Sequence, residues 1–120
     1  MLPSPLRFAV IGTGHLGTIH TRLLAQQPDA CVAFVVDPDS ERAGALAAEV
    51  GATWVAAVEE LPSTSVDAVI IAAPTSLHSA LARIAIDNEW HCFIEKPVTA
   101  TVAEADELAA RAASDRKSVV

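Results

Sequence analysis

Two kinds of apolar pattern alternate along the chain. Short, nearly unbroken runs stand at 6–11, 31–36, 67–73 and 91–94. Between them lie longer stretches with apolar residues three or four positions apart. The short runs predict strands buried on both faces, and the wider spacing predicts helices packed by one stripe. The first helix carries Leu16, Ile19, Leu23 and Leu24. The second carries Ala43, Leu46, Ala47 and Val50, with Asp39 or Ser40 as its cap and Gly51 as its stop. The third opens at Thr75 or Ser76 and sets Leu77, Leu81, Ile84 and Ala85 on one side. A capping box from Thr101 to Glu104 opens the fourth, with Val102, Ala105, Ala109 and Ala112 on one face. A short strand at 53–56, a brief helix over 58–61 ending at Pro62, and the start of a sixth strand at Val119 and Val120 complete the pattern. Strands that alternate with helices predict an α/β fold with a doubly wound parallel sheet, a Rossmann fold. The 120 residues suit one domain over 1–120.

The junction between the first strand and the first helix is Gly12-Thr13-Gly14-His15-Leu16-Gly17. A second strand follows and ends in Asp37, twenty positions after Gly17. In this frame the three glycines and the acid form a dinucleotide fingerprint. Gly12 permits the tight turn, Gly14 lets the backbone approach a pyrophosphate, and Gly17 lets the helix pack on the strand. The helix start, with free N–H groups and a positive dipole end, favours phosphate. Asp37 is placed to accept hydrogen bonds from both hydroxyls of an adenosine ribose. A 2′-phosphate there would meet a like charge, so NAD is expected in preference to NADP.

Composition narrows the field further. Net charge is −7, from 15 acidic and 8 basic residues, with no basic cluster and few aromatics, which argues against a nucleic-acid surface. No apolar run approaches the ~18 residues of a membrane span, and the first five residues lack the regions of a signal peptide, so a cytoplasmic protein is expected. Cys31 and Cys92 lie in apolar runs without metal-ligand spacing and are expected to be small buried hydrophobes. No metal site is expected.

Ligands of such sheets bind beyond the carboxyl ends of the strands, where strand order reverses. The residues there are Gly12, Asp37, the Ala73-Pro74-Thr75 turn and the Glu95-Lys96-Pro97 segment. Lys96 is one of only two lysines, with Lys117. Its ammonium is expected either to pair with Glu95 or to meet a substrate oxygen, or else to be an ordinary loop lysine. His78 falls in the first turn of the third helix, near the expected reacting centre. His15 shapes the glycine loop or faces solvent. His20, between Leu16 and Leu23, is expected to be a core histidine with a satisfied ring; the alternative is a contact near the cofactor.

Three motifs carry a family resemblance. Gly12 to His20 resembles the start of the Gfo/Idh/MocA family of glucose–fructose oxidoreductases and inositol dehydrogenases. Ala73-Pro74-Thr75-Ser76-Leu77-His78 resembles the turn after that family's fourth strand, and Glu95-Lys96-Pro97 matches its EKP signature. The resemblance implies hydride transfer between a nicotinamide cofactor and a sugar, cyclitol or nucleotide sugar. It implies cofactor contacts from Gly12, Gly14, His15, Leu16, Gly17, Asp37, Ala73, Pro74, Thr75, His78, Glu95 and Lys96, and a positioning role for Lys96. A cis Lys–Pro peptide also occurs in the family. Family members continue through the sixth strand into a second domain that supplies the acid/base residues, most of the substrate pocket and a homo-oligomer interface. The chain is therefore expected to be the cofactor domain alone, truncated at the sixth strand and inactive by itself. A non-catalytic NAD-binding module is the alternative. A methyltransferase using S-adenosylmethionine is a weaker one, because Gly17 and the EKP segment argue against it.

Overall fold

The computed structural model describes residues 5–96, 99, 101–115 and 120. Five strands form one sheet: β1 (Leu6–Ile11), β2 (Ala30–Val36), β3 (Thr53–Val55), β4 (Ala68–Ile71) and β5 (His91–Ile94). Four helices connect and flank them: α1 (His15–Ala25), α2 (Ser40–Val50), α3 (Thr75–Asp87) and α4 (Val102–Asp115). Single 3₁₀ turns at Val58–Glu60 and Ser63–Ser65 lie between β3 and β4. The order across the sheet is β3-β2-β1-β4-β5, and every pairing is parallel. The order reverses between β1 and β4, which opens a crevice at their carboxyl ends.

Alternation along β1 divides the core into two layers. Ala9 and Ile11 join Val69, Ile71, Cys92 and Ile94 beneath α3 and α4, where Ala82, Ile86 and Leu108 complete the packing. Val10 faces the opposite layer with Val32, Val35, Ala43 and Leu46 beneath α2. Phe8, Ala68 and Ile70 extend that second layer under Leu24 of α1. Strands covered on both faces explain the unbroken apolar runs.

Local signals hold closely. Asp39 caps α2 by accepting from the Arg42 N–H, and Gly51 ends it in the left-handed region at φ 74°. The Thr101–Glu104 box forms in both directions, at 3.1 and 3.2 Å. Val120 bonds to the outer edge of β5, donating to Cys92 O (2.8 Å) and accepting from Ile94 N–H (2.6 Å). That is the position of a sixth strand; Val119, like Pro97 and its preceding peptide bond, lies outside the described residues.

The α2 stripe of Ala43, Leu46 and Ala47 is buried as expected, while the faces of α1, α3 and α4 depart in part from their apolar stripes. Leu16, Ile19 and Leu23 are 48%, 40% and 53% exposed, and α1 instead buries Gly17 and Thr21. A Cβ on Gly17 would stand 1.9 Å from Gly12 O, so the helix lies against the turn on its smallest residues. In α4 the buried residues are Leu108 and Ala112, while Val102 is exposed. Leu77 of α3 is also exposed, and that helix packs through His78, Ser79, Ala82, Ala85 and Ile86. Cys31 is only half-buried, whereas Cys92 is buried and its thiol is pushed up to about 12 by desolvation.

Candidate functional site

The glycine turn is built by close approach. Gly12 adopts φ +99°, and a Cβ there would meet Ala72 C and O at 2.8 Å. Only glycine combines that conformation with that contact. Its N–H donates to Val36 O, which ties the turn to the end of β2. Gly14 differs: a Cβ on it would meet nothing within 4 Å. Gly12 and Gly17 are thus demanded by the fold itself, while Gly14 faces open space at the start of α1.

That space is part of a cleft of about 680 Å3. Gly12, Thr13 and Gly14 form its floor, with Asp37, Pro38 and Arg42 on one side and Ala73 and Pro74 on the other. Ala56, Ala57, Val58, Leu77 and Leu81 make its walls mostly apolar. Apolar walls with a few placed polar groups suit a flat heterocycle attached to a charged chain.

Asp37 is the buried acid of the cleft, only 7% exposed. Its Oδ2 accepts from the Thr13 N–H and hydroxyl, both at 2.8 Å, and from Arg42 Nη2 at 3.3 Å. Its Oδ1 accepts from the Asp39 N–H at 2.8 Å. Burial pushes this carboxyl up, but the Asp39 and Thr13 hydrogen bonds and the Arg42 charge together hold it below the ordinary carboxylate range. A carboxylate has about four acceptor positions, two on each oxygen. Among the described contacts, the one still open is on Oδ1. The carboxylate as arranged therefore offers a ribose one further acceptor position rather than two.

Sequence reasoning overlooked Thr13 and Arg42. Thr13 is 1% exposed and reaches Asp37 through both backbone and side chain. Arg42 Nε donates to the Thr13 hydroxyl at 3.1 Å, so Arg42, Thr13 and Asp37 form one chain. The available signal for Arg42 was its place three residues after the cap Asp39, in the first turn after the fingerprint acid.

The remaining candidates are spread more widely. His15 borders a second, more open hollow with Thr18 and Arg22, and Gly14 and Arg42 line both it and the cleft. Leu16 is exposed and lines neither space. His78 is buried, with Nε2 2.8 Å from Ala73 O, so its ring braces the turn after β4 and does not line the cleft. Thr75, Glu95 and Lys96 also lie outside the cleft lining. His20 is half-buried, not a core residue, and its Nε2 meets Glu95 Oε1. It leans out of the core because the neighbouring sheet-facing positions are Gly17 and Thr21. No grouping of three or more His, Cys, Asp or Glu that could hold a metal occurs among the described residues. No helix among them is long and apolar enough to cross a membrane.

A glycine turn at a strand-order reversal, facing a buried acid at the end of the neighbouring strand, defines a dinucleotide-binding α/β domain. The comparisons carry this to a family. Residues 6–120 match the model of the Gfo/Idh/MocA oxidoreductase family, NAD-binding Rossmann fold, and the chain belongs to that family. It is 43% identical over 103 residues to a UDP-N-acetylglucosamine 3-dehydrogenase of Acidithiobacillus ferrooxidans, covering 86% of this chain and 32% of that protein. It is 38% identical to scyllo-inositol 2-dehydrogenase (NAD(+)) of Bacillus subtilis, over 82% of this chain and 30% of that protein. Among solved structures, GenD2 from gentamicin A biosynthesis, in complex with NAD, superposes with a TM-score of 0.94 at 28% identity, over 100% of this chain and 35% of that one. The chain thus spans about a third of the length of the relatives it matches. The family match gives the methyltransferase alternative no support.

Proposed function

We propose that the chain binds NAD in the cleft between Gly14 and Asp37, as the cofactor domain of a dehydrogenase acting on a sugar, cyclitol or nucleotide sugar. One observation carries the site: Gly12 and Gly17 are closed by packing, while Gly14, between them, stands open. The pyrophosphate would sit against the Gly14 backbone and the start of α1, where dipole and N–H groups favour an anion. The ribose would meet the open position on Asp37 Oδ1, and a second hydroxyl would take the place of Arg42. The apolar wall from Ala56 to Val58 would cover the adenine. NAD when bound supplies the hydride acceptor. Asp37 disfavours a 2′-phosphate, although Arg42 beside it offsets part of that repulsion.

The substrate class is supported by the names of the relatives, a nucleotide-sugar dehydrogenase and an inositol dehydrogenase. Lys96 is exposed and, among the described residues, forms no ion pair, so its ammonium is available to orient a substrate oxygen. The buried His78 is committed to Ala73 O. We place the acid/base group in a substrate domain outside these 120 residues, and the whole protein in the cytoplasm as a homo-oligomer. The free thiols of Cys31 and Cys92 suit a reducing compartment.

NADH fluorescence titration tests the cofactor site, with tighter binding of NADH than NADPH expected; equal affinities would overturn the preference. In an NADH-production assay over inositols, hexoses and nucleotide sugars, the chain alone should stay far below the roughly one turnover per second at the low end of ordinary enzymes. Turnover near that rate would place the acid/base group within this chain and make Lys96 its first candidate.

A further inference from the structure

Lys96 follows directly on an acid, yet among the described residues the two side chains form no ion pair. Glu95 donates its N–H to Ile71 O of β4 at 3.1 Å, which fixes its backbone. Its carboxylate turns to α1 and meets His20 Nε2. The two side chains are 34% and 25% exposed, so the contact is partly shielded from water. It joins the helix that opens at the glycine turn to the segment beyond β5, with β4 lying between β1 and β5.

We propose that His20 is a positioning residue: by holding the Glu95 carboxylate against α1, it keeps that charge off Lys96 and leaves the Lys96 ammonium open to a substrate oxygen. The inference rests on the proposed role of Lys96 facing substrate. A released Glu95 would lie one residue from an exposed ammonium, with its own backbone fixed by the bond to Ile71. A carboxylate at that range stabilises the protonated amine, even after screening by salt. The lysine would then spend its charge on its own neighbour.

The amine reports this directly. The chain is acylated at trace level with acetic anhydride at fixed pH, with Nα-acetyl-lysine as an internal reference, and modification at Lys96 is read by mass spectrometry. His20→Ala is expected to slow acylation of Lys96 by about three- to tenfold, the effect of a newly formed ion pair on an exposed amine. His20→Gln, which still donates to Glu95, should stay near the unmodified rate. The double variant H20A/E95Q should recover that rate, because no charge remains to be released; a role limited to bracing the fold would not be rescued this way. His20→Asn, too short to reach Glu95, should reproduce the fall and covers the case in which the alanine variant does not fold. An unchanged Lys96 rate in folded H20A or H20N overturns the inference. NADH titration of the same samples separates the two readings: an unmodified chain that fails to bind NADH overturns the cofactor site, whereas an unchanged Lys96 rate in a variant that binds NADH overturns only the role of His20.

Discussion

Two aspartates at opposite ends of the sheet show how one side chain serves two purposes. Asp67 stands before β4, at the amino end, and takes a bidentate grip from Arg7: Nε to Oδ2 at 3.0 Å and Nη2 to Oδ1 at 2.9 Å. The Arg7 N–H adds a third bond to Oδ2 at 2.8 Å. Asp37 stands after β2, at the carboxyl end, and is also held by hydrogen bonds and an arginine. Both carboxyls lie below the ordinary range, Asp67 chiefly through the Arg7 hydrogen bonds and Asp37 through hydrogen bonds that outweigh its burial. The difference is what lies beyond them. Asp67 is gripped by a fork that matches its geometry and pins β1 to β4, and it lines neither the cleft nor the hollow beside it. Asp37 keeps one acceptor position open and borders the cleft. A depressed carboxyl is therefore not in itself a mark of a binding site; what distinguishes Asp37 is its place on a cavity wall.

The glycines of the carboxyl end allow the sharpest break. Gly17→Ala should abolish folding, or cost more than about 4 kcal/mol in urea denaturation, because its Cβ would overlap the Gly12 carbonyl. Gly14→Val should leave the circular dichroism spectrum unchanged and lower NADH affinity by about a hundredfold or more, since its side chain would fill the place of the pyrophosphate. Binding retained by a folded Gly14→Val variant would put the cofactor elsewhere.

The aspartates come next. Asp37→Ala should weaken NADH binding by about tenfold or more, through loss of its charge-assisted hydrogen bonds to the ribose, and narrow the gap to NADPH. Asp67→Asn should lower the melting temperature by several degrees and leave NADH affinity unchanged. An effect of Asp67→Asn on affinity would erase the distinction between the two ends.

The smallest expected effect is the acid dependence of stability. Both folded-state carboxyls lie below the unfolded value of ~3.9. The stability they add is fully present above that value and is lost as pH falls through the folded values. Their contribution to the melting temperature should be flat from about pH 7 to 5 and decline below about 4, and Asp37→Asn or Asp67→Asn should each flatten that decline.

The chain's own residues determined a good deal. β1 and β5 begin and end where their apolar runs do, Gly51 ends α2, and Thr101 and Glu104 close on each other. These depend on residues close in sequence, so local physics decides them. The glycine spacing also specified the turn, because the conformation at Gly12 and the packing at Gly17 exclude other residues. The α2 stripe was also legible, but which face α1 presents was decided by the tertiary structure. A stripe such as Leu16, Ile19 and Leu23 shows that a helix is amphipathic, but the sheet took the Gly17 and Thr21 side, where the backbones approach most closely. His20 was thereby moved out of the core and into reach of Glu95, 75 residues away. The Thr13–Arg42 clasp on Asp37 was hidden for the same reason: it joins residues 24 and 29 positions apart, whose meeting depends on β1 and β2 lying side by side in register.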